Sequence, residues 1–170
     1  MPDDPKHIVR TGGLDWGKVW RGRHPFNPDS EMRLAPLGDP TGLKRLGVHL
    51  IRIPPGKESF IPHSHAVMEE FVFILEGVGE VVLDGVAHPI GPGDFVGFPT
   101  DGVVHSVKSK GPGDLLYLTA GERSVAGVEV AEMPTIGKTT VFRQGRMTLY
   151  GKDGVEELTE AEWMARTRID

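Results

Sequence analysis

The sequence predicts an all-β fold, a sandwich or barrel of short strands with a loop-rich N-terminal arm and one C-terminal helix. Three observations lead there. Glycine (23 residues) and proline (14 residues) punctuate the chain at short intervals, as many tight turns between short strands require. From Lys44 onward, short runs rich in Val, Ile, Leu and Phe are bounded by Gly, Pro and Asp, which is the texture of consecutive strands and argues against a helical bundle. With 170 residues, 38% of them hydrophobic, the chain has the size of one domain and enough apolar side chains to bury a core.

Residues 1–43 read as an arm, because Gly12, Gly13, Pro25, Pro28, Pro36, Pro40 and Gly42 interrupt every periodic run. Trp16, Trp20, Phe26, Leu34 and Leu37 are its scattered apolar anchors. Residues 44–130 read as the barrel core, with strands near 44–53, 60–66, 69–76, 78–83, 86–90, 94–98, 103–109, 114–120 and 125–130. Asp84-Gly85 marks a two-residue hairpin, whose central positions both need positive φ. Residues 131–170 form an extension with a strand pair, 139–143 and 146–150, turning at Gln144-Gly145. In the closing helix Thr159 and Glu162 fit a capping box, Leu158 and Trp163 stand at staple positions, and Ala161, Met164 and Ala165 continue the pattern. The whole, 1–170, is read as a single domain.

Composition removes several classes of function. The net charge of −5 and the lack of a basic run argue against nucleic acid as a partner. The absence of cysteine excludes disulfides, zinc–thiolate and iron–sulfur sites and thiol nucleophiles. The opening Met1-Pro2-Asp3-Asp4-Pro5 does not resemble a signal peptide, and no stretch is apolar for long enough to span a bilayer. A soluble, cytoplasmic protein with no membrane partner is the expectation.

The chemistry concentrates in four residues. His63 and His65 are separated by one residue, so on a strand both imidazoles leave the same face and can share an ion. Glu70 enters the apolar run Phe71-Val72-Phe73-Ile74-Leu75, where an inward carboxylate is costly unless it meets a cation. His105 shares a core-directed face with Val107. Glu69 is assigned to the outer face.

The stretch from Gly56 to Ser109 resembles the two signature motifs of the cupin superfamily, small β-barrel metalloproteins. The first is matched by Gly56, His63-Ser64-His65, Glu70 and Gly77, and the second by Gly93, Pro99, Gly102 and His105. Six residues separate Gly56 from His63 where the family has about five, Thr100-Asp101 replaces a single residue, and Ser109 stands in place of the closing Asn. These departures fall at turns and strand ends, where they bear on loop geometry more than on ligation. The resemblance implies a jelly-roll barrel, the double-stranded β-helix, with a metal bound by His63, His65, Glu70 and His105.

Nitrogen and oxygen ligands without sulfur suit iron, manganese, nickel, copper or zinc as one divalent ion per chain. An interior drawn from Val72, Ile74, Phe95 and Val107 should hold a compact organic molecule as substrate or ligand. Two functions follow: a metal-dependent enzyme of the dioxygenase, isomerase, decarboxylase or lyase type, or a non-catalytic binding or sensory module with a structural metal. His49 shares a strand face with Ile51 and Ile53 and is the first candidate for a pocket acid or base. His7, His24 and His88 are expected at the surface, and Arg52 and Lys57 in solvent. A homodimer is expected, because Trp16, Trp20 and Phe26 lie in an arm with few neighbours to cover them.

Overall fold

The computed structural model describes residues 5–123 and 127–169. Its strands are β1 (Trp20–Gly22), β2 (Met32–Pro36), β3 (Leu46–Ile53), β4 (Ser64–His65), β5 (Glu70–Glu76), β6 (Gly79–Leu83), β7 (Val86–Ile90), β8 (Phe95–Phe98), β9 (His105–Ser109), β10 (Leu115–Glu122), β11 (Val128–Met133), β12 (Lys138–Arg143), β13 (Arg146–Gly151) and β14 (Gly154–Thr159). Two helices accompany them, a single turn α1 (Gly38–Thr41) and α2 (Glu160–Thr167). One layer is a six-stranded sheet ordered β1-β2-β3-β10-β5-β8; the other is made of a three-stranded sheet, β7-β6-β9, and a five-stranded sheet, β14-β13-β12-β11-β4. The layers face each other as a jelly-roll without closing into a continuous hydrogen-bonded barrel.

Strict alternation builds the interior of the six-stranded sheet. Ile51 and Ile53 on β3, Val72 and Ile74 on β5, and Leu115 and Tyr117 on β10 are all buried, and the register sets Ile51 and Ile74 on either side of Tyr117. Continuing each alternation toward the other end of the sheet brings in His49, Thr119 and Glu70. The inner face thus changes from aliphatic to polar along its length, because one residue type replaces another at the same parity in three neighbouring strands.

Where 60–66 was expected as a strand, only Ser64 and His65 pair regularly, with β11. The segment before them contains Pro62, which has no N–H to donate. It is nevertheless laid along β9: Ser59 N–H donates to the Val107 carbonyl at 2.9 Å, and His63 and His105 exchange backbone bonds of 3.1 and 2.8 Å. Three residues intervene between Ser59 and His63 on one side and one, Ser106, between Val107 and His105 on the other, so the segment bulges and re-aims His63. The hairpin at Asp84-Gly85 forms as expected, with φ of 48° and 83°.

The arm is more ordered than a loop-rich reading implies. β1 pairs with β2, and β2 with β3, so both extend the six-stranded sheet. The strand expected at 125–130 begins partly outside the described residues; β11 continues to Met133, past the expected core boundary, and carries β12 and β13 into the same sheet. β14 is an addition to the expected elements: its one buried residue is Leu158, too little apolar pattern for a sequence signal.

The described chain closes on itself end to end. Arg23 N–H donates to the Thr167 carbonyl at 2.7 Å, and Ile169 N–H to the Arg21 carbonyl at 3.0 Å. Gly22 permits this approach, since a Cβ there would lie 2.1 Å from the Trp20 ring and 2.6 Å from the Thr167 oxygen. The helix α2 starts as the sequence predicts, with the reciprocal Thr159–Glu162 capping box. The arm's rings are covered by their own chain: Trp20 packs on the core, Trp16 lies under the Arg52 guanidinium at 4.3 Å, and Phe26 sits beside His24.

Candidate metal centre

His63, on the bulged segment, His65 on β4, Glu70 at the start of β5 and His105 at the start of β9 converge. One ligand atom from each lies within 4.8 Å of every other. The imidazole centroids are 4.6 Å apart for His63 and His105, 4.9 Å for His63 and His65, and 5.5 Å for His65 and His105. Glu69 is exposed, as its assignment to the outer face requires.

The outer ring nitrogens fix the tautomers. His63 Nδ1 is 2.8 Å from the Ile61 carbonyl and His105 Nδ1 is 3.1 Å from that of Val103. A carbonyl only accepts, so each Nδ1 carries the proton and each Nε2 presents a lone pair to the centre. The His65 Nδ1 meets Glu129 Oε1 at 3.1 Å, a carboxylate buried on β11. Thr119 donates to Glu70 Oε1 at 2.6 Å, which orients the carboxylate. Phe98 stacks on the His105 ring at 3.8 Å and 9°, holding it from behind.

This arrangement fits a divalent cation. His105 Nε2 is buried with no hydrogen-bond partner, a costly state that a Lewis acid would relieve, and His65 Nε2 faces the Glu70 carboxylate at 3.3 Å. Burial, reinforced by the two neighbouring imidazoles, pushes His63 down to about 4, and burial also lowers His105. Burial would raise Glu70, but its contacts with His65 and Thr119 outweigh this and hold it at about 2. His65 is raised to about 9 because Glu129 and Glu70 together outweigh its own burial. Two neutral imidazoles and an ionised carboxylate are ready for a cation, and at His65 a metal would replace a proton.

The four side chains line a cavity of about 360 Å³. His49, half-buried, lines it too, and burial lowers its pKa, keeping the ring neutral at pH 7. A second cavity of about 250 Å³ shares His49, His65, Glu70 and Thr119 and opens among Glu69, Glu122 and Arg123. Val72 and Val107 line the main cavity as expected. Phe95 does not: it is 63% exposed, because Val96 and Phe98 take the inward parity of β8. His7 and His88 are exposed.

His24 is the clear correction to the sequence reading. It is 4% exposed and lines the cavity, because the closure of β1 onto the C-terminal segment folds the arm inward. Sequence reasoning also passed over Glu129, Thr119 and Trp163. For Glu129 a signal existed: it shares a strand face with Ala131 and Met133, and a carboxylate among such residues needs a partner.

A jelly-roll whose facing sheets bring three histidines and a glutamate to one cavity defines a class, the β-sandwich with a candidate metal site in its interior. A family model described as the cupin domain matches residues 49–121. The chain is 33% identical to a putative sugar phosphate isomerase from Acidithiobacillus ferrooxidans, with 90% of this chain and 97% of that one covered and a TM-score of 0.81. It is 27% identical to a sugar phosphate isomerase of the cupin superfamily from Silicibacter pomeroyi, over 87% and 92% of the two chains with a TM-score of 0.62. A polyketide cyclase from Streptomyces resistomycificus shares the fold at 21% identity, 66% and 80% coverage and a TM-score of 0.52. A sequence comparison with curated proteins returns no match. The protein belongs to the cupin superfamily.

Proposed function

We propose that this cupin is a metal-dependent enzyme acting on a small oxygenated organic molecule, with His63, His65, Glu70 and His105 as ligands of one divalent ion. The observation that carries the reading is their position: the convergent imidazoles, with His105 Nε2 unpartnered, and the Glu70 carboxylate stand on the wall of a cavity of about 360 Å³ rather than in a sealed core. An ion held there would supply Lewis-acid polarisation of a substrate oxygen.

The chain's own residues do the remaining work. Glu129 holds the His65 ring through Nδ1 and Thr119 holds Glu70, so the ligand set is oriented before an ion arrives. The aliphatic part of the sheet, with Ile51 and Val72, excludes water from the cavity. His49, neutral and beside Thr119 in the sheet register, is the group able to take or return a proton at a substrate carbon. Among the candidate reactions, isomerisation by proton transfer next to a carbonyl is favoured by His49 and by the likeness to the Acidithiobacillus protein.

The test is metal analysis of purified protein, combined with turnover of small hydroxy-carbonyl compounds by protein loaded with iron, manganese, nickel, copper or zinc. His65→Ala should lose bound metal, and His49→Gln should keep metal while losing turnover. Stoichiometric metal in His65→Ala would refute the ligand set. Metal and ligand binding without turnover of any compound would establish the binding-module alternative instead.

A further inference from the structure

The cavity has a second feature that ligation does not explain. His24, from the arm, is 4% exposed and lines the cavity together with Phe60 and Trp163 of α2. Its ring meets Phe60 at 5.9 Å and Trp163 at 5.6 Å, both edge-to-face. Phe60 in turn meets the ligand His63 at 6.2 Å, so the aromatic group adjoins the metal centre. His24 Nδ1 accepts the Phe26 N–H at 3.4 Å, which leaves the proton on Nε2. Among the described residues no acceptor is placed against that N–H. Unlike His105 Nε2, this nitrogen is not sealed off, so its N–H is open to an acceptor supplied from outside the protein.

The charge of the lining narrows what the partner can be. Neither lysine nor arginine lines the main cavity among the described residues, and burial pushes His24 down to about 4, so it is neutral at pH 7. Arg123, at the other opening, is already paired with Asp39 and stands with Glu69 and Glu122. Arg23 and Arg166 border a surface depression that His24 also lines, and Arg166 is paired with Glu156 at 2.6 Å. A phosphate dianion seated beside Phe60 and Trp163 in the main cavity would lose its water with no lysine or arginine there to replace it.

We propose that the part of the cavity around His24 is a recognition box for an uncharged, flat apolar group bearing one hydrogen-bond acceptor. Phe60 and Trp163 form its sides and the His24 Nε2–H is its donor. This deepens the proposed function, since it takes the same cavity to be the substrate site, and it assigns the substrate an oxygenated end for the metal and an uncharged body for the box. His24 is here a specificity-determining residue.

Four probes test the box without needing a metal: phenol, toluene, ribose phosphate and inorganic phosphate, each titrated into the full-length protein by ligand-observed NMR while the His24 ring resonances are followed. Phenol should saturate and shift the His24 signals, with toluene roughly three- to tenfold weaker for lack of the acceptor, and neither phosphate should displace phenol. His24→Phe should bring phenol and toluene to within about twofold, and His24→Gln, which keeps an N–H, should restore part of the preference. Ribose phosphate displacing phenol, or binding more tightly than phenol to the wild-type protein, overturns the proposal without recourse to any variant. So does an equal loss of phenol and toluene binding in His24→Phe. Metal content measured on the same samples keeps the readings apart: a metal-free wild-type protein refutes the ligand set alone, because the box contains none of the four ligands.

Discussion

His24 makes the stability of the protein depend on pH in a way that one substitution isolates. Its ring is neutral in the folded state, held at about 4 by burial, whereas in the unfolded chain it titrates near the ordinary histidine value of about 6.5. Between those values the unfolded chain binds the extra proton, so stability rises with pH there and is lost as pH falls. The full displacement corresponds to roughly 3 kcal/mol, of which about 2 kcal/mol falls between pH 7 and pH 5. His24→Phe keeps a flat ring among Phe26, Phe60 and Trp163 and removes the titration. Urea denaturation of metal-free wild type and variant at the two pH values gives the quantity needed: the pH-induced loss should be about 2 kcal/mol smaller in the variant. Contributions from His63, His65 and Glu70 are common to both proteins and cancel in the difference. Parallel losses would mean that His24 is protonated without cost in the folded protein, and would refute the buried, neutral ring on which the argument rests.

Thr119→Val and Glu129→Gln should each lower metal affinity by roughly 10- to 100-fold while leaving the fold intact, as read by competition with a chromophoric chelator; unchanged affinity would show that neither contact orients its ligand. Phe98→Ala removes a buried ring stacked on His105, and should cost roughly 3–5 kcal/mol in urea denaturation, with Phe98→Leu milder. Thr159→Ala breaks the capping box and should cost about 1 kcal/mol. Because the end of α2 is bonded to β1, hydrogen exchange in that variant should quicken at residues 21–23 as well as in the helix, and a change confined to the helix would contradict the end-to-end closure.

The convergence of the four candidate ligands was legible because it follows local rules. His63 and His65 share a face by their spacing, and Glu70 rather than Glu69 continues the inward row of Val72 and Ile74. The bulge before β4 was not legible: it depends on how residues 59–63 lie against β9, which no window of sequence contains. Phe95 was misplaced because a four-residue strand, with phenylalanine at both ends of a Phe-Val-Gly-Phe run, offers no pattern to choose the inward parity. His24 was misplaced for a different reason. The arm has no period, and the position of His24 is set by the pairing of residues 21–23 with 167–169, a contact between two segments that each look irregular alone.

That pairing divides the cavity by origin. The candidate metal ligands come from the sheet strands and the bulged segment beside them, and their orientation depends on Glu129, Thr119 and Phe98 within the sheets. Around His24 the lining comes instead from the arm and from α2, with Phe60 between the two regions. Substitutions at His24 or Trp163 can therefore alter which molecules enter without disturbing any contact that orients an imidazole or the Glu70 carboxylate. Phe60 touches both, meeting His24 on one side and His63 on the other. A change there should affect ligand selection and metal affinity together, whereas a change at Trp163 should affect ligand selection alone.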